Sequence, residues 1–207
     1  MGISPAFLSI GGGAAAPTCT LYYDGSGLTM DDNWQPGYNS SYAGPRYTPT
    51  ENITVCKVDI YVDNISGTFT SSHDLYMYVG SIDGNDDIDA WVGSYSSKID
   101  GDTITDADGW MSASAGFFEF SPNLSLSNGT TYVFTVFLDT DGNPTDSPET
   151  DGTNYLEWGI DNENNHAGAG AGQAGFIQHG WDAGGLPYAD SYQDDEDDFI
   201  FRIYTMQ

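Results

Sequence analysis

The sequence predicts an all-β fold, a sandwich of two antiparallel sheets behind an N-terminal arm, and three observations lead there. Several segments alternate apolar and polar residues with the two-residue period of a half-buried strand. The 25 Asp, 26 Gly and 9 Pro supply turns and work against helix interiors, and no window sustains a helical apolar period for three turns. At 207 residues with 14% aromatic content, the chain is long enough to bury one large β core undivided.

Residues 1–18 are uncharged and rich in Gly and Ala. A short apolar run and Ala14-Ala15-Ala16 resemble an export signal superficially, but no Lys or Arg precedes them and Gly11 to Gly13 break the run, so a cleaved signal is not expected. Gly2 opens a myristoylation-like start that fails at Ala6, where Ser or Thr is required. The segment is therefore read as an attachment arm, with Ile3, Phe7, Leu8 and Ile10 as its large apolar groups, and residues 19–207 as the sandwich domain.

Within the domain, residues 19–24 form a short strand, and a loop rich in Gly, Asp, Asn and Pro follows as far as Asn52. The clearest alternation comes next, with Cys56, Val58, Ile60 and Val62 inward and Lys57, Asp59, Tyr61 and Asp63 on a wet face. Residues 75–82 are apolar on both faces, residues 91–99 extend a further strand, and an Asp-rich link occupies 100–108. Residues 117–138 are the centre of the design. Two extended runs flank Ser127-Asn128-Gly129, a tight-turn signal, and make a hairpin or corner in which Tyr132, Phe134, Val136 and Leu138 share one face. A polar loop spans 139–154, a strand 155–160, a low-complexity loop 161–175 and a short strand 176–181. The strand at 198–205 turns Phe199, Phe201 and Ile203 inward and lies inside a sheet, since Ile200 and Tyr204 are large as well. Val58, Ile60, Phe134, Val136, Phe199 and Phe201 are the expected core.

A formal charge of −27, offset only by Arg46, Lys57, Lys98 and Arg202, repels phosphate backbones and anionic lipid, so nucleic acid is excluded as a partner. No stretch approaches the roughly 20 apolar residues of a membrane span, and no membrane insertion is expected. Cys19 and Cys56, the only cysteines, fit one disulfide or two buried thiols equally, because spacing alone does not bring their Cα atoms together.

Leu124, Leu126, Gly129, Thr130 and Tyr132, following the strand FFEFS, resemble a pattern of the choice-of-anchor R type of extracellular jelly-roll domain. The ending Asp198, Phe199, Phe201, Arg202 and Tyr204 and the early strand ITVCKVDIYV are similar to it too, over about residues 50–205. The resemblance implies a jelly-roll ordering of the sandwich and a surface or extracellular setting, and it brings no catalytic residues.

Carboxylates are too numerous for any pair to stand out as a glycosidase acid and nucleophile, and His73, His166 and His179 show no metal spacing. Neither a GxSxG elbow nor a phosphate-binding loop occurs, so the chain is expected not to be an enzyme. Calcium is the candidate cofactor. Asp139, Asp141, Asn143 and Asp146 place oxygen ligands at alternate positions, although Gly142 and the missing twelfth-position Glu depart from an EF-hand. The acidic run at 194–198 is second to it. Trp34, Trp91, Trp110, Trp181 and Tyr188, in or beside predicted loops, are candidates for stacking on sugar rings.

These features predict a non-enzymatic structural or interaction protein, a virion component such as a capsid decoration, head fibre or tail appendage, bound to other chains of a larger assembly through its arm. The alternative is a carbohydrate-binding module of a secreted or cell-surface protein, with glycans as partners.

Overall fold

The computed structural model describes residues 17–28, 30, 32–35, 41–83, 88–105, 108–140, 153–161, 173–179, 192–194 and 198–207, with the backbone alone at 32–34, 41–43, 173–179 and 192–194. In chain order the strands are β1 (Cys19–Asp24), β2 (Asp32–Trp34), β3 (Ser41–Tyr47), β4 (Ile53–Ser66), β5 (Asp74–Ile82), β6 (Ile88–Trp91), β7 (Ile99–Asp100) and β8 (Gly109–Trp110). There follow β9 (Phe118–Leu126), β10 (Tyr132–Asp139), β11 (Tyr155–Asp161), β12 (Gln173–His179), β13 (Tyr192–Asp194), β14 (Asp198–Phe199) and β15 (Phe201–Met206). Two single 3-10 turns, Gly101–Thr103 and Met111–Ala113, are the helical elements among the described residues.

The strands divide into two antiparallel sheets. The first runs β1-β15-β4-β11-β14, with β8 and β9 also on β4 and β2 also on β11; the second runs β13-β12-β3-β10-β5-β6, with β7 also on β5. The fourteen residues of β4 form the spine of the first sheet, pairing with β9 and β15 along its first half and with β8 and β11 along its second. In the second sheet β10 pairs with β5 over its full length, from Tyr132 opposite Ser81 to Asp139 opposite Asp74.

Residues 126–132 carry the chain from one sheet to the other, so the Asn-Gly turn makes a corner rather than a hairpin. Gly129 takes the positive φ (73°) expected of it. The Ser127 N–H donates to the Tyr132 hydroxyl at 2.9 Å, the Asn128 N–H to Asn52 Oδ1 at 2.9 Å and the Gly129 N–H to Pro49 O at 2.9 Å, which satisfies backbone groups that the change of sheet leaves without ladder partners.

All six expected core residues are 1% exposed or less. They belong to one cluster with Tyr132, Leu138, Leu156, Trp158 and Ile203 between the sheets, where the Trp158 Nε1–H donates to Ile200 O at 2.9 Å and so meets the hydrogen-bonding need of a buried indole. The terminal β15 lies inside its sheet, between β1 and β4.

Several sequence expectations are corrected. Cys56 does not face the core: Ile53 and Val55 point inward, then Val58, Ile60 and Val62 do, and this change from odd to even positions needs an extra residue. Both β9 and β15 change register between Val55 and Lys57, the mark of a bulge at Cys56. Cys56 is thereby bonded to Cys19, with a Cα–Cα distance of 6.2 Å. Asp59, assigned to the wet face, is fully buried, because Ser112 of the second 3-10 turn covers it. The supposed loop before Asn52 contains β2 and β3. Residues 91–99 are not one strand but the end of β6, a loop and the start of β7, and the low-complexity run 161–175 has strand at both ends, in β11 and β12.

Two stability measurements test this architecture. The disulfide closes a span of 37 residues, for which chain entropy gives about 4 kcal/mol, so the double variant Cys19→Ser, Cys56→Ser should lose roughly that in chemical denaturation. Where β3 meets β10, a Cβ on Gly44 would collide with the carbonyl oxygen of Phe134, a backbone atom that cannot turn away. Gly44→Ala should therefore cost about 3 kcal/mol or more, and an unchanged denaturation midpoint would show that β3 does not approach β10 this closely.

Candidate functional site: aromatic and acidic residues on the outer sheet faces

The outer face of the first sheet is organised by its two cations. Arg202 of β15 stands directly between Asp24 of β1 and Asp59 of β4. Its Nε–H donates to Asp24 Oδ1 at 2.8 Å, and its guanidinium lies 3.7 Å above the Trp110 ring. Trp110 is met edge-on by Tyr61 at 5.6 Å, and the Tyr61 hydroxyl donates to Asp108 Oδ1 at 2.7 Å. One strand-pair further along, Lys57 places its Nζ 3.5 Å from the Phe117 ring centroid and 4.8 Å from that of Tyr204. Aromatic rings thus hold positive charges, and a cleft of about 200 Å³ lined by Ser26, Leu28, Met30, Tyr61, Trp110 and Ile200 opens beside them.

The carboxyls of this face are shifted in opposite directions. Burial pushes Asp24 up, but hydrogen bonds from Arg202 and Ser26, with the charge of Arg202, outweigh it and leave the group below its ordinary value. Burial dominates at Asp59 and raises its pKa, although the Ser112 N–H at 3.0 Å and hydroxyl at 2.5 Å both donate to it and Arg202 opposes the rise. The hydrogen bond to Asp108 is the largest influence raising the Tyr61 phenol.

The outer face of the second sheet carries an aromatic row. Tyr76 and Tyr78 of β5 alternate with the core residues Leu75, Met77 and Val79. Tyr78 packs on Phe137 at 4.6 Å, on Trp91 at 5.2 Å and on Tyr95 at 5.5 Å, while Tyr95 meets Tyr76 edge-on at 5.3 Å. At the end of this face Asp139 pairs across the ladder with Asp74, and Asp74 with Asp100. Such like charges repel. Lys98 Nζ bonds Asp74 Oδ2 at 2.9 Å and offsets part of the repulsion, while Asp74 Oδ1 and Asp100 Oδ1 are buried without a hydrogen-bond partner.

Trp110 and Trp91 fall on opposite outer faces, so the predicted stacking aromatics do not form one platform. Trp34 lies in β2 with its backbone opposite Trp158, its side chain outside the described residues. Trp181 and Tyr188, the calcium ligands Asp141, Asn143 and Asp146, and the arm residues Ile3, Phe7, Leu8 and Ile10 also lie outside them. Asp139 is at the buried end of β10, and among the described residues no group of three His, Cys, Asp or Glu is placed to hold a metal ion. His73 is a turn residue whose Nδ1 accepts from the Thr70 N–H at 3.1 Å. Tyr61 and Arg202 were legible as outward positions of predicted strands, whereas Tyr95 and Glu119 gain meaning only from how loops and strands meet. No helix among the described residues is long and apolar enough to cross a membrane. No family model, curated protein or solved structure matches the chain.

Asp59 provides a pH test of the first face. A carboxyl whose pKa is raised by folding contributes stability below its unfolded value, near 3.8, and that contribution is lost as pH rises through the folded value. Asp59→Asn cannot ionise. The melting temperature of the variant relative to the native chain should thus rise between pH 3 and neutrality, and a constant difference would mean that Asp59 titrates normally.

Proposed function

We propose that the chain is a non-enzymatic structural and interaction protein, a jelly-roll sandwich borne on a larger assembly such as a virion, where it serves as a capsid decoration, head fibre or tail appendage. The observation that carries this reading is the way the arm is rooted. The Thr18 N–H donates to Gln207 O at 3.3 Å, the Gln207 N–H donates to Thr18 O at 2.9 Å, and the next residue is covalently tied to β4 through Cys56. A tether leaving the outermost strand of a sheet would otherwise peel that strand away, since its hydrogen bonds could break one after another. Here a pull on residues 1–17 is passed by a covalent bond to the spine of the sheet. The perturbed carboxyls also have structural explanations, which supports the non-enzymatic part of the reading.

A second reading is favoured by separate observations. A disulfide persists in an oxidising compartment, and the half-buried aromatic row on the outer face of the second sheet suits stacking against sugar rings, so a carbohydrate-binding module of an extracellular or cell-surface protein is the alternative. This setting agrees with the likeness to choice-of-anchor R domains.

Deletion of residues 1–17, leaving Thr18 in place, separates the two. On the first reading the truncated domain melts within a few degrees of the full chain and no longer enters the assembly. A truncated domain that is still incorporated normally would overturn it.

A further inference from the structure

Strand β5 has no continuous neighbour along its outer edge. At one end β7 pairs with Asp74 and Leu75, at the other β6 pairs with Gly80, Ser81 and Ile82, and residues 92–98 bridge the gap. The Val92 N–H donates to Val79 O at 2.7 Å and the Ser96 N–H to Met77 O at 2.9 Å, while Ser96 Oγ accepts from the Met77 N–H at 2.9 Å. On the other side the loop is bound to the first sheet: the Ser97 N–H donates to Glu119 O at 2.6 Å, and Ser97 Oγ accepts from the Glu119 N–H at 3.3 Å. Gly93, at φ 72°, lets the loop pass over Leu124, whose Cδ2 would lie 2.6 Å from any Cβ there. Residues 92–98 are therefore a bridge fixed to both sheets. The Tyr95 ring it carries is braced by Tyr76 and Tyr78.

Between this bridge and the start of β9 lies a groove of about 400 Å³, lined by Ser94, Tyr95, Ser96, Ser97, Glu119 and Ser121. That volume falls within the range of small-molecule sites, about 300–1,000 Å³, whereas the cleft at Trp110 is smaller. The lining has a definite chemistry. Tyr95 supplies an apolar wall, the Ser94 and Ser121 hydroxyls can both donate and accept, and the exposed Glu119 carboxylate accepts only. A peptide adding as a strand is disfavoured, because Met77, Val79 and Glu119 already have their backbone partners. An anionic ligand is disfavoured too: of the two lysines nearest the rim carboxylate, Lys98 is engaged by Asp74, and Lys57, across the ladder from Glu119, holds its Nζ between the Phe117 and Tyr204 rings. A ligand with a C–H face to lay on a ring and many neutral hydroxyls satisfies every one of these conditions.

We infer that this groove binds a neutral oligosaccharide, with Tyr95 as the stacking wall and Glu119, Ser94 and Ser121 as hydroxyl partners. The inference deepens the carbohydrate-binding reading and rests on it. The test is calorimetric and NMR titration of the full chain with neutral hexose and N-acetylhexosamine oligosaccharides, and with sialylated counterparts. Tyr95→Ala should weaken the neutral ligand about tenfold, Tyr95→Phe should keep it, and Trp110→Ala should have little effect. Glu119→Ala, a change at an exposed side chain, is the second variant should Tyr95→Ala not fold, and it too should weaken binding. Saturable neutral-sugar binding lost with Tyr95→Ala or Glu119→Ala and kept with Trp110→Ala supports the site. Binding lost only with Trp110→Ala overturns this groove but keeps the carbohydrate reading, and equal or preferred binding of sialylated sugars overturns the charge argument. No binding of any sugar overturns both.

Discussion

One constraint governs the first sheet: β4 must present apolar residues to the core at Ile53 and Val55 and again at Val58, Ile60 and Val62, which a strictly two-residue period cannot do. The extra residue at Cys56 resolves it, and much follows from that insertion. Cys56 comes within bonding distance of Cys19, Lys57 is opposite Tyr204, and Asp59 is opposite Arg202. Without the bulge, one half of β4 would turn its apolar residues to water, and burial of a single such residue contributes about 1.5–3 kcal/mol.

The outer faces show how a very acidic chain deploys few cations. Arg202 stands between two carboxylates, Lys98 at a row of three, and Lys57 between two rings. Surface ion pairs contribute little on average, but Arg202 is fixed by stacking and a cross-strand position as well as by charge. Rings on these faces are consequently of two kinds. Trp110 has a cation above it, whereas Tyr95 is supported by other rings and borders open space.

Where local pattern and burial agree, the fold was legible: β1, β5 and β10 were placed within a residue or two and all six expected core residues are buried, whereas the run 198–205, expected as one strand, is divided at Ile200 into β14 and β15. Strand β3 was not, because Ala43-Gly44-Pro45 carries turn signals; Gly44 is there for its closeness to Phe134, a contact between segments 90 residues apart. Asp59 reads as a solvent position in any window of β4, and only Ser112, 53 residues away, accounts for its burial. The bridge at 92–98 was read as part of a strand because Trp91, Val92, Tyr95 and Ile99 are residues that strands favour, but Gly93 at positive φ interrupts it. The candidate groove was illegible for the same reason, since its two walls come from different sheets.

The position of β15 bears on the order in which the molecule is made. Among the described residues it follows every other strand yet sits between β1, the first of them, and the spine β4, and its Arg202 meets an aspartate 178 residues earlier. A polypeptide emerging from the ribosome can therefore assemble the β5–β10 pair while β1 and the neighbouring edge of β4 still wait for a partner. Such long-range pairing is slow, and unpaired edges are where chains join one another wrongly. The Cys19–Cys56 link ties β1 to β4, the two strands between which β15 is received.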